Sequence, residues 1–220
     1  MDAIKVCDLF DLTHTRAAKM LAACEYPWEA LSKIGETVLA IGQGLDLGDY
    51  DHPAEDVWIA KTATVAATAS IAGPCVIGEK TEVRPGAFIR GNVLVGDGAV
   101  VGNSCELKNC ILFDAVQTPH YNYVGDSVLG YKAHMGAGAV TSNVKGDKKN
   151  VVVHGERDYE TGRKKFGAML GDFAEIGCNS VLNPGTIIGR DSQVYPLSSV
   201  RGVVKARHIV KGARGAFAKD

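Results

Sequence analysis

The chain lacks the features that mark disulfide-rich, membrane-spanning and nucleic-acid-binding proteins. Its six cysteines show no CxxC spacing, and a chain of 220 residues needs no disulfides for stability, so reduced thiols are expected. No run approaches the roughly 20 apolar residues that span a bilayer, and charges are scattered through the first segment, MDAIKVCDLFDLTHTR. The net charge of −1 lacks a basic excess. We therefore expect a cytoplasmic protein with no nucleic-acid and no membrane partner.

Aromatic residues are also scarce, at 7%, whereas glycine is abundant. The 26 glycines make up about 12% of the chain, against an average near 7%. This composition is typical of a chain with many tight turns between small repeating units.

Large apolar residues recur at every sixth position in two stretches. The first run is Ile59, Val65, Ile71, Ile77, Val83, Ile89, Val95, Val101, Leu107 and Phe113, and the second is Leu170, Ile176, Leu182, Ile188, Val194 and Val200. A period of six fits neither a half-buried strand nor a helix. It predicts short strands separated by corners, stacked in parallel, with the large side chains in an inner column. A right-handed solenoid or a β-sandwich is the alternative.

This pattern resembles the hexapeptide-repeat family, whose members form a left-handed parallel β-helix with three faces and 18 residues per coil. The resemblance implies a mainly β fold of this type over residues 56–205. A short α-helical segment at 1–55 is expected to precede it, and a tail at 206–220 to follow. Helices are predicted at 13–24 and 27–41, and the apolar face of the second is expected to dock on the solenoid or on a neighbouring subunit.

The repeat is interrupted twice, and loops at such interruptions often carry function. The six-residue frame predicts an inward residue at Pro119, so the segment QTPHYNYVGD is expected to bulge from the wall and expose His120, Tyr121, Asn122 and Tyr123. The second interruption is an insertion of 28 residues, at about 142–169. Its weak alternation and a turn signal near TG, at residues 161 and 162, predict an inserted hairpin.

Four segments carry a closer resemblance: GNSCELKNC, TPHYNYVGD, MGAGAVTSN and GRKKFGAMLGDFAEIGCNSVLNPGTIIG. They are similar to the C-terminal acetyltransferase part of the bifunctional sugar-1-phosphate nucleotidylyltransferases, of which the best-known type makes UDP-N-acetylglucosamine. The glycine-rich signature of the nucleotidyltransferase domain is absent. The resemblance implies an acetyl-CoA-dependent N-acetyltransferase that acts on an amino-sugar 1-phosphate such as glucosamine 1-phosphate. It also implies a homotrimer, and acyl transfer that requires no metal.

Acetyl transfer to a sugar amine needs a base, because much of the amine is protonated near pH 7. A histidine suits this task, since its reference pKa of about 6.5 is close to the working pH. His120 matches the family's catalytic base, and Asn143 in AVTSN matches an asparagine near the reacting thioester, where an amide could donate to the oxyanion. From the residues alone, a loop histidine bonded to backbone is the favoured interpretation of His120, and the motif is what favours the base.

The acceptor's phosphate requires cations. Lys108 and Arg84 match the family's phosphate-contacting pair. Arg90 precedes Lys108 by one coil, so the two side chains are expected to stack about 4.8 Å apart, with Arg90 assisting. A solvated basic edge is the alternative for all three.

Other matches concern the sugar. Tyr123 corresponds to a sugar-contacting tyrosine, and Lys149 to a lysine that reaches the acceptor. His134 stands where the best-known members have a substrate-contacting asparagine, and Val144 replaces their tyrosine. The identity of the acceptor is therefore open.

By the same resemblance, acetyl-CoA lies in a groove between subunits lined by Ala137, Cys178 and Pro196. Lys205 and Arg207, with Lys211, are candidates for the nucleotide's phosphates, although a terminal charge run is often merely solvated. Two other functions remain open. One is a non-catalytic oligomerising or regulatory β-helix module, since fold alone does not establish activity. The other is a carbonic anhydrase of the same repeat, although the chain lacks that family's HxxxxH pair.

Overall fold

In the computed structural model, which describes residues 3–212 and 215–219, short strands stack in parallel into three ladders. The ladders are the three faces of a left-handed parallel β-helix, which confirms the predicted fold class. We number the faces in the order in which the chain reaches them. Two long strands, Glu106–Leu112 and Tyr123–Leu129, each run along the third face and continue onto the first.

The remaining strands each belong to one face. The first face contains Val57–Ala60, Cys75–Ile77, Val93–Val95, Ala168–Leu170, Thr186–Ile188 and Val203–Val204, with Tyr50–Ala54 antiparallel at its edge. The second face contains Thr64–Val65, Glu82–Val83, Val100–Asn103, Gln117–His120, His134–Met135, Glu175–Ile176, Gln193–Val194 and His208–Val210, with Ala216–Ala218 antiparallel at its edge. The third face contains Ser70–Ile71, Phe88–Ile89, Val140–Thr141, Val181–Leu182 and Ser199–Val200.

A column of aliphatic side chains fills the interior, as the six-residue period predicts. On the third face, Ile89, Leu107 and Val124 pair in consecutive coils, and each is fully buried. Burying a side chain of this size contributes roughly 1.5 to 3 kcal/mol. The repeated column therefore provides the core that fixes the register of the coils.

The predicted frame is wrong at one step, near Leu107. Leu107 is followed on the first face by Leu112, five residues on, and Leu112 pairs with Val95 in the position predicted for Phe113. Two coils are thus shortened to 17 residues, and Thr118 rather than Pro119 points inward, with 0% exposure. Because the frame shifts earlier, the segment QTPHYNYVGD stays in the wall and does not bulge.

The corners use left-handed backbone, which Asn, Asp and Gly adopt more readily than other residues. Tyr121 turns the chain from the second face to the third with φ of 53°, and Asp126 turns it from the third to the first with φ of 49°. Consecutive coils repeat these corners. They bring side chains that are one coil apart in sequence to the same edge of the solenoid.

The N-terminal segment lies against the solenoid. It forms α-helices at Val6–Leu9, Ala18–Ala22 and Ile34–Gln43, and 3-10 helices at Leu12–His14 and Pro27–Ser32, so the two predicted helices are shorter or divided. Thr15 is extended, with φ of −155° and ψ of 142°, and therefore interrupts the first. The apolar face of the second docks as predicted, because Trp28, Ile34 and Val38 are buried and Ile34–Gln43 contacts first-face strands.

The insertion contains a hairpin, as predicted, formed by Val152–His154 and Asp158–Glu160. Its turn lies at 155–157 and not at the predicted TG, which follows the second strand. It folds back on the N-terminal segment, where Tyr159 lies 5.8 Å from the ring of Tyr26. Arg163 donates to the hydroxyl of Ser32 at 2.8 Å. The N-terminal segment and the insertion thus cover the first face and its edge, while the second and third faces present their outward side chains.

Candidate functional site

His120 ends a strand of the second face, immediately before the corner at Tyr121. Its side chain is exposed, as predicted, and no group in the described part of the chain bonds to its imidazole ring. Its backbone is fixed, because the His120 N–H donates to the side-chain oxygen of Asn122 at 3.2 Å. The prediction that Asn122 is exposed is wrong, since that side chain is 2% exposed and donates to the carbonyls of Gly136 and Ala139.

The three residues predicted to line the acetyl-CoA groove occupy the position of His120 in the following coils. The carbonyls of His120, Ala137 and Cys178 each accept from an N–H one coil further along, at 3.0, 2.8 and 2.9 Å. Pro196 follows Cys178 in the next coil, by the same register. The structure therefore brings His120, Ala137, Cys178 and Pro196 to one edge, which we call the His120 edge.

A shallow groove of about 290 Å³ runs along the second face beside this edge. Cys178, Pro196 and His134 line it. His134 lies within 2.8 Å of the carboxylate of Glu175, through its Nδ1 atom. The groove is lined mostly by apolar and backbone surface. Gly136 and Gly177 are required for the stacking of the coils, because a β-carbon at either would collide with the backbone of the next coil.

At the opposite edge of the third face, the carboxylate of Asp126 accepts hydrogen bonds from several side chains, two of which belong to predicted site residues. Its carboxylate is nearly buried, with 5% of the side chain exposed, and contacts the ammonium of Lys108 through both oxygens, at 3.1 and 3.2 Å. The amide of Asn109 donates to it at 2.9 Å, and that of Asn143 at 2.6 Å. We call Asp126, Lys108, Asn109 and Asn143 the Asp126 cluster.

Tyr123 reaches this cluster across the third face. Its hydroxyl accepts from the Asn143 amide at 3.2 Å, and a β-carbon at Gly125 would collide with that hydroxyl. Burial raises the pKa of the Tyr123 phenol, and the negative charge of Asp126 raises it further. The phenol therefore stays protonated at neutral pH and keeps a proton to donate. Asn143, in contrast, has both amide hydrogens engaged, by Asp126 and Tyr123.

Each of the three cations predicted for phosphate binding has a carboxylate partner. Arg84 pairs with Glu82 at 3.0 Å, and Arg90 with Glu106 at 2.6 Å. Arg90 and Lys108 stand in equivalent positions of consecutive coils, as predicted, because Ile89 pairs with Leu107. Arg84 lies on the second face, one face away from Lys108. An incoming phosphate would have to compete with these carboxylates.

The remaining predicted residues lie apart from both edges. Lys149 is exposed on the insertion, where its N–H donates to the carboxylate of Asp147 at 3.0 Å. Lys205 pairs with Glu156 of the hairpin at 3.2 Å, and Arg207 is exposed at a corner between the first and second faces. The structure brings neither Lys205 nor Arg207 to the groove within one chain.

Sequence reasoning missed Asp126, although it stands in the quoted segment TPHYNYVGD. The available signal was its spacing, since Asp126 follows Lys108 by 18 residues, about one coil. Within residues 3–212 and 215–219, no three His, Cys, Asp or Glu side chains are grouped to hold a metal ion. None of the helices in the described part has the length and apolar character to cross a membrane.

Comparisons with known proteins agree with the motifs. A family profile described as the GMPPB C-terminal domain matches residues 71–157. The bifunctional protein GlmU of Methanococcus aeolicus is 33% identical over 173 residues, covering 70% of this chain and 42% of that protein. The bifunctional sugar-1-phosphate nucleotidylyltransferase/acetyltransferase of Sulfurisphaera tokodaii is 33% identical over 114 residues, covering 51% and 28% respectively. The chain thus spans less than half the length of these relatives.

A solved structure with a similar strand arrangement is perosamine N-acetyltransferase from Caulobacter crescentus. It is 18% identical, covers 74% of this chain and 56% of its own, and has a TM-score of 0.39. This likeness is too low to carry an argument about function. The sequence matches confirm the resemblance to the bifunctional sugar-1-phosphate enzymes that the motifs indicated.

Proposed function

Taking the similarity to bifunctional sugar-1-phosphate nucleotidylyltransferase/acetyltransferases as the premise, we propose that the chain transfers an acetyl group from acetyl-CoA to the amine of an amino-sugar 1-phosphate. One observation carries the proposal. An exposed histidine with no bonded partner in the described residues begins the edge that Ala137, Cys178 and Pro196 continue beside the groove. A general base and the reactive end of a thioester need this adjacency.

In the proposed reaction, the sugar ammonium first loses one proton to solvent, and the neutral imidazole of His120 then takes a proton from the amine as it attacks. The amine nitrogen forms a bond to the thioester carbonyl carbon, and a tetrahedral oxyanion results. Collapse of that intermediate breaks the carbon–sulfur bond, and the CoA thiolate takes up a proton that His120 returns. His120 thus acts first as a base and then as an acid.

Asn143 does not have a free amide hydrogen for the oxyanion, because both of its hydrogens are already donated. Its hydrogen to Asp126 is short, at 2.6 Å, whereas the one to Tyr123 is longer, at 3.2 Å. We assign the second hydrogen to the oxyanion or the acceptor, because releasing a neutral phenol costs less than releasing a carboxylate. His120 and Asn143 lie on opposite edges of the third face, so a site that uses both draws them from different subunits.

A homotrimer supplies those subunits in the proposal. Two large side chains stand exposed along the His120 edge, Tyr121 at 63% beside His120 and Leu197 at 79% three coils further on. Large apolar groups exposed along one edge are typical of a surface that another protein covers. Packing of a second copy on this edge would place its third face or insertion beside His120.

For the acceptor, Lys108 and Arg84 would contact the phosphate, with Arg90 assisting. Tyr123 would contact the sugar, and Lys149 would reach it from the insertion. His134, held by Glu175, replaces the asparagine of the best-known relatives and is the residue that we assign to selecting the acceptor. Glucosamine 1-phosphate is the first candidate.

For acetyl-CoA, Ala137, Cys178 and Pro196 would line the pantetheine arm. Lys205 and Arg207 would meet the nucleotide's phosphates across the subunit boundary. When bound, acetyl-CoA supplies the activated acetyl group. The chain's part is to orient the thioester against the amine and to move the proton.

The test is a thiol-release assay with acetyl-CoA and a panel of amino-sugar 1-phosphates. We expect activity with at least one acceptor, and a fall of at least about a hundredfold in kcat for His120→Ala. His154→Ala is the matched control, because His154 is another exposed histidine, paired with Asp158 on the hairpin at 2.8 Å. Its activity should equal that of the parent. An unchanged rate in His120→Ala would remove the base from the mechanism.

A non-catalytic module is the second candidate. The pairing of Arg84, Arg90 and Lys108 with carboxylates favours it, because a neutralised surface has less attraction for phosphate. Absence of thiol release with every acceptor would support this function over acetyl transfer.

A further inference from the structure

Asp126 is a buried carboxylate whose partners are side chains of the proposed site. Taking a carboxylate out of water costs several kcal/mol unless it is paired and hydrogen-bonded. Here one ammonium and two amides meet its two oxygens. The cluster is therefore satisfied only while Lys108, Asn109 and Asn143 all keep their places.

Asp172 is a second buried carboxylate, and its contacts are those of a purely structural residue. Asp172 is 1% exposed and pairs with Arg190, whose Nε lies 3.1 Å away, 18 residues along the chain. Its other contacts are backbone N–H groups, from Asp11 at 2.7 Å and Tyr131 at 2.8 Å. Asp172 thus ties the N-terminal segment to a coil. Asp126 differs because two of its three partners are side chains with proposed roles in the reaction.

The charge and hydrogen-bond geometry limit how these partners can move. The ammonium of Lys108 is held by both oxygens of Asp126, and 25% of the lysine side chain is exposed. The short bond from Asn143 also fixes the orientation of that amide, since the reversed orientation would set its oxygen against the carboxylate. Asn143 in turn holds the hydroxyl of Tyr123.

We propose that Asp126 is a positioning residue that sets the places of Lys108 and Asn143, and through Asn143 that of Tyr123, for the acceptor. The inference rests on the proposed acetyl transfer. Asp126 does not touch the reacting atoms in this proposal. It holds the charge that meets the phosphate and the amide that meets the acceptor, on the edge of the third face opposite His120.

The activity test compares Asp126→Asn with Asp172→Asn and the parent. An amide at position 126 would turn hydrogens toward Lys108 or Asn143, so we expect kcat to fall between about tenfold and a hundredfold. The KM for acetyl-CoA should stay within about twofold, because the His120 edge and its groove are not altered. Asp172→Asn should lower the melting temperature and leave kcat unchanged. Asp126→Glu should recover part of the lost kcat.

A double-substitution cycle adds a readout that a general loss of stability would not move. If Asp126 acts through Lys108, Lys108→Met should cost much less in Asp126→Asn than in the parent. Additive losses, or a kcat equal to that of the parent in folded Asp126→Asn, would overturn the inference.

A measurement without turnover separates this inference from the proposed function. Lysines are labelled with limiting acetic anhydride and quantified by mass spectrometry. We expect Lys108 to react at least about threefold faster in Asp126→Asn, since its ammonium is released from the carboxylate, while Lys149 is unchanged. An unchanged Lys108 rate would overturn the positioning role. If the parent is inactive with every acceptor, acetyl transfer fails, and the labelling still decides whether Asp126 holds Lys108.

Discussion

The carbonyl of His120 accepts a hydrogen bond from the N–H of Gly138 at 3.0 Å, which stacks Ala137 on His120 in consecutive coils. This bond fixes the backbone of the proposed base, while the imidazole remains unbonded among the described residues. Only the ring then has to be ordered when a substrate binds. Equivalent backbone bonds, from Asn179 to Ala137 and from Leu197 to Cys178, continue the edge to Cys178, two coils beyond His120.

The proposed groove predicts that acetyl-CoA protects Cys178 from alkylation. Cys178 is exposed and lines the groove, whereas Cys75 and Cys110 are buried, which raises the pKa of each thiol. Iodoacetamide should therefore label Cys178 and spare those two. Acetyl-CoA at ten times its dissociation constant should slow the labelling of Cys178 about tenfold.

Cys7 is the internal control for this experiment. It is also exposed, but lies in the helix Val6–Leu9 of the N-terminal segment. Its labelling rate, followed by mass spectrometry, should not respond to acetyl-CoA. Equal protection of Cys7 and Cys178 would argue against a binding site at the groove.

The shifted frame predicts opposite effects for two neighbouring residues. Thr118 points into the column with 0% exposure, and Gln117 beside it is exposed. Thr118→Asp would bury an unpaired charge, so we expect the chain to lose several kcal/mol of unfolding free energy or not to fold. Gln117→Asp should change it by less than about 0.5 kcal/mol. Urea unfolding measures both, and a stable Thr118→Asp protein would contradict the register.

The same shift shows what the sequence could and could not predict. The period of six was sufficient for the fold, because nearly all of the inward positions of this series are apolar, and Thr118 is an exception. At the corner near Asn109, a coil is one residue shorter than 18. The apolar pattern does not reveal this shortening, since Leu112 and Phe113 are both large and buried. Phe113 packs instead near Phe10, with ring centroids 5.2 Å apart. Only the strand register distinguishes the two.

For the site, the sequence predicted which residues are present but not how they are paired. The motifs identified His120, Lys108 and Asn143, but residue types alone do not reveal that a lysine is already paired. The carboxylate of Asp126 becomes its partner because a coil of 17 residues pairs Lys108 with Gly125, which places the next residue within reach of the ammonium. The N-terminal helices were less predictable, since contacts such as the bond from Arg16 to the hydroxyl of Tyr50 at 2.7 Å override local propensity.

Two aspartates should change stability with pH in opposite directions. Burial raises the pKa of the Asp114 carboxyl, and the nearby Asp97 carboxylate adds to this, although the Asp97 N–H donates to it at 2.8 Å and opposes the shift. The native state then holds this proton more tightly than the unfolded chain does. Stability from this group is therefore lost as pH rises from the unfolded value, about 3.9, through the higher native value.

Asp114→Asn removes that loss, so its unfolding free energy relative to the parent should rise between about pH 4 and pH 7. Asp11 is the control of opposite sign, because the Thr13 hydroxyl donates to it at 2.7 Å and lowers the pKa of its carboxyl. Asp11→Asn should lose stability relative to the parent as pH rises from the lowered native value to about 4, and stay level with it between pH 4 and pH 7. Urea denaturation at about pH 3, pH 4 and pH 7 checks both, and parallel curves for Asp114→Asn and the parent would contradict the assignment.

The corner at Leu197, three coils beyond His120 along the same edge, predicts the effect of charge on assembly and activity together. Leu197 is 79% exposed, so Leu197→Glu should fold normally as a single chain, yet it would bury a carboxylate if another copy covers this corner. We expect the parent to sediment with three times the mass of one chain and Leu197→Glu with the mass of one. Acetyl transfer should fall when the trimer dissociates, because His120 and Asn143 would no longer meet across subunits.

Leu47→Glu is the matched control, since Leu47 is 59% exposed in the N-terminal segment, and it should stay trimeric and active. A trimeric Leu197→Glu would exclude this corner from the interface, and a monomeric, active parent would exclude a site shared between chains.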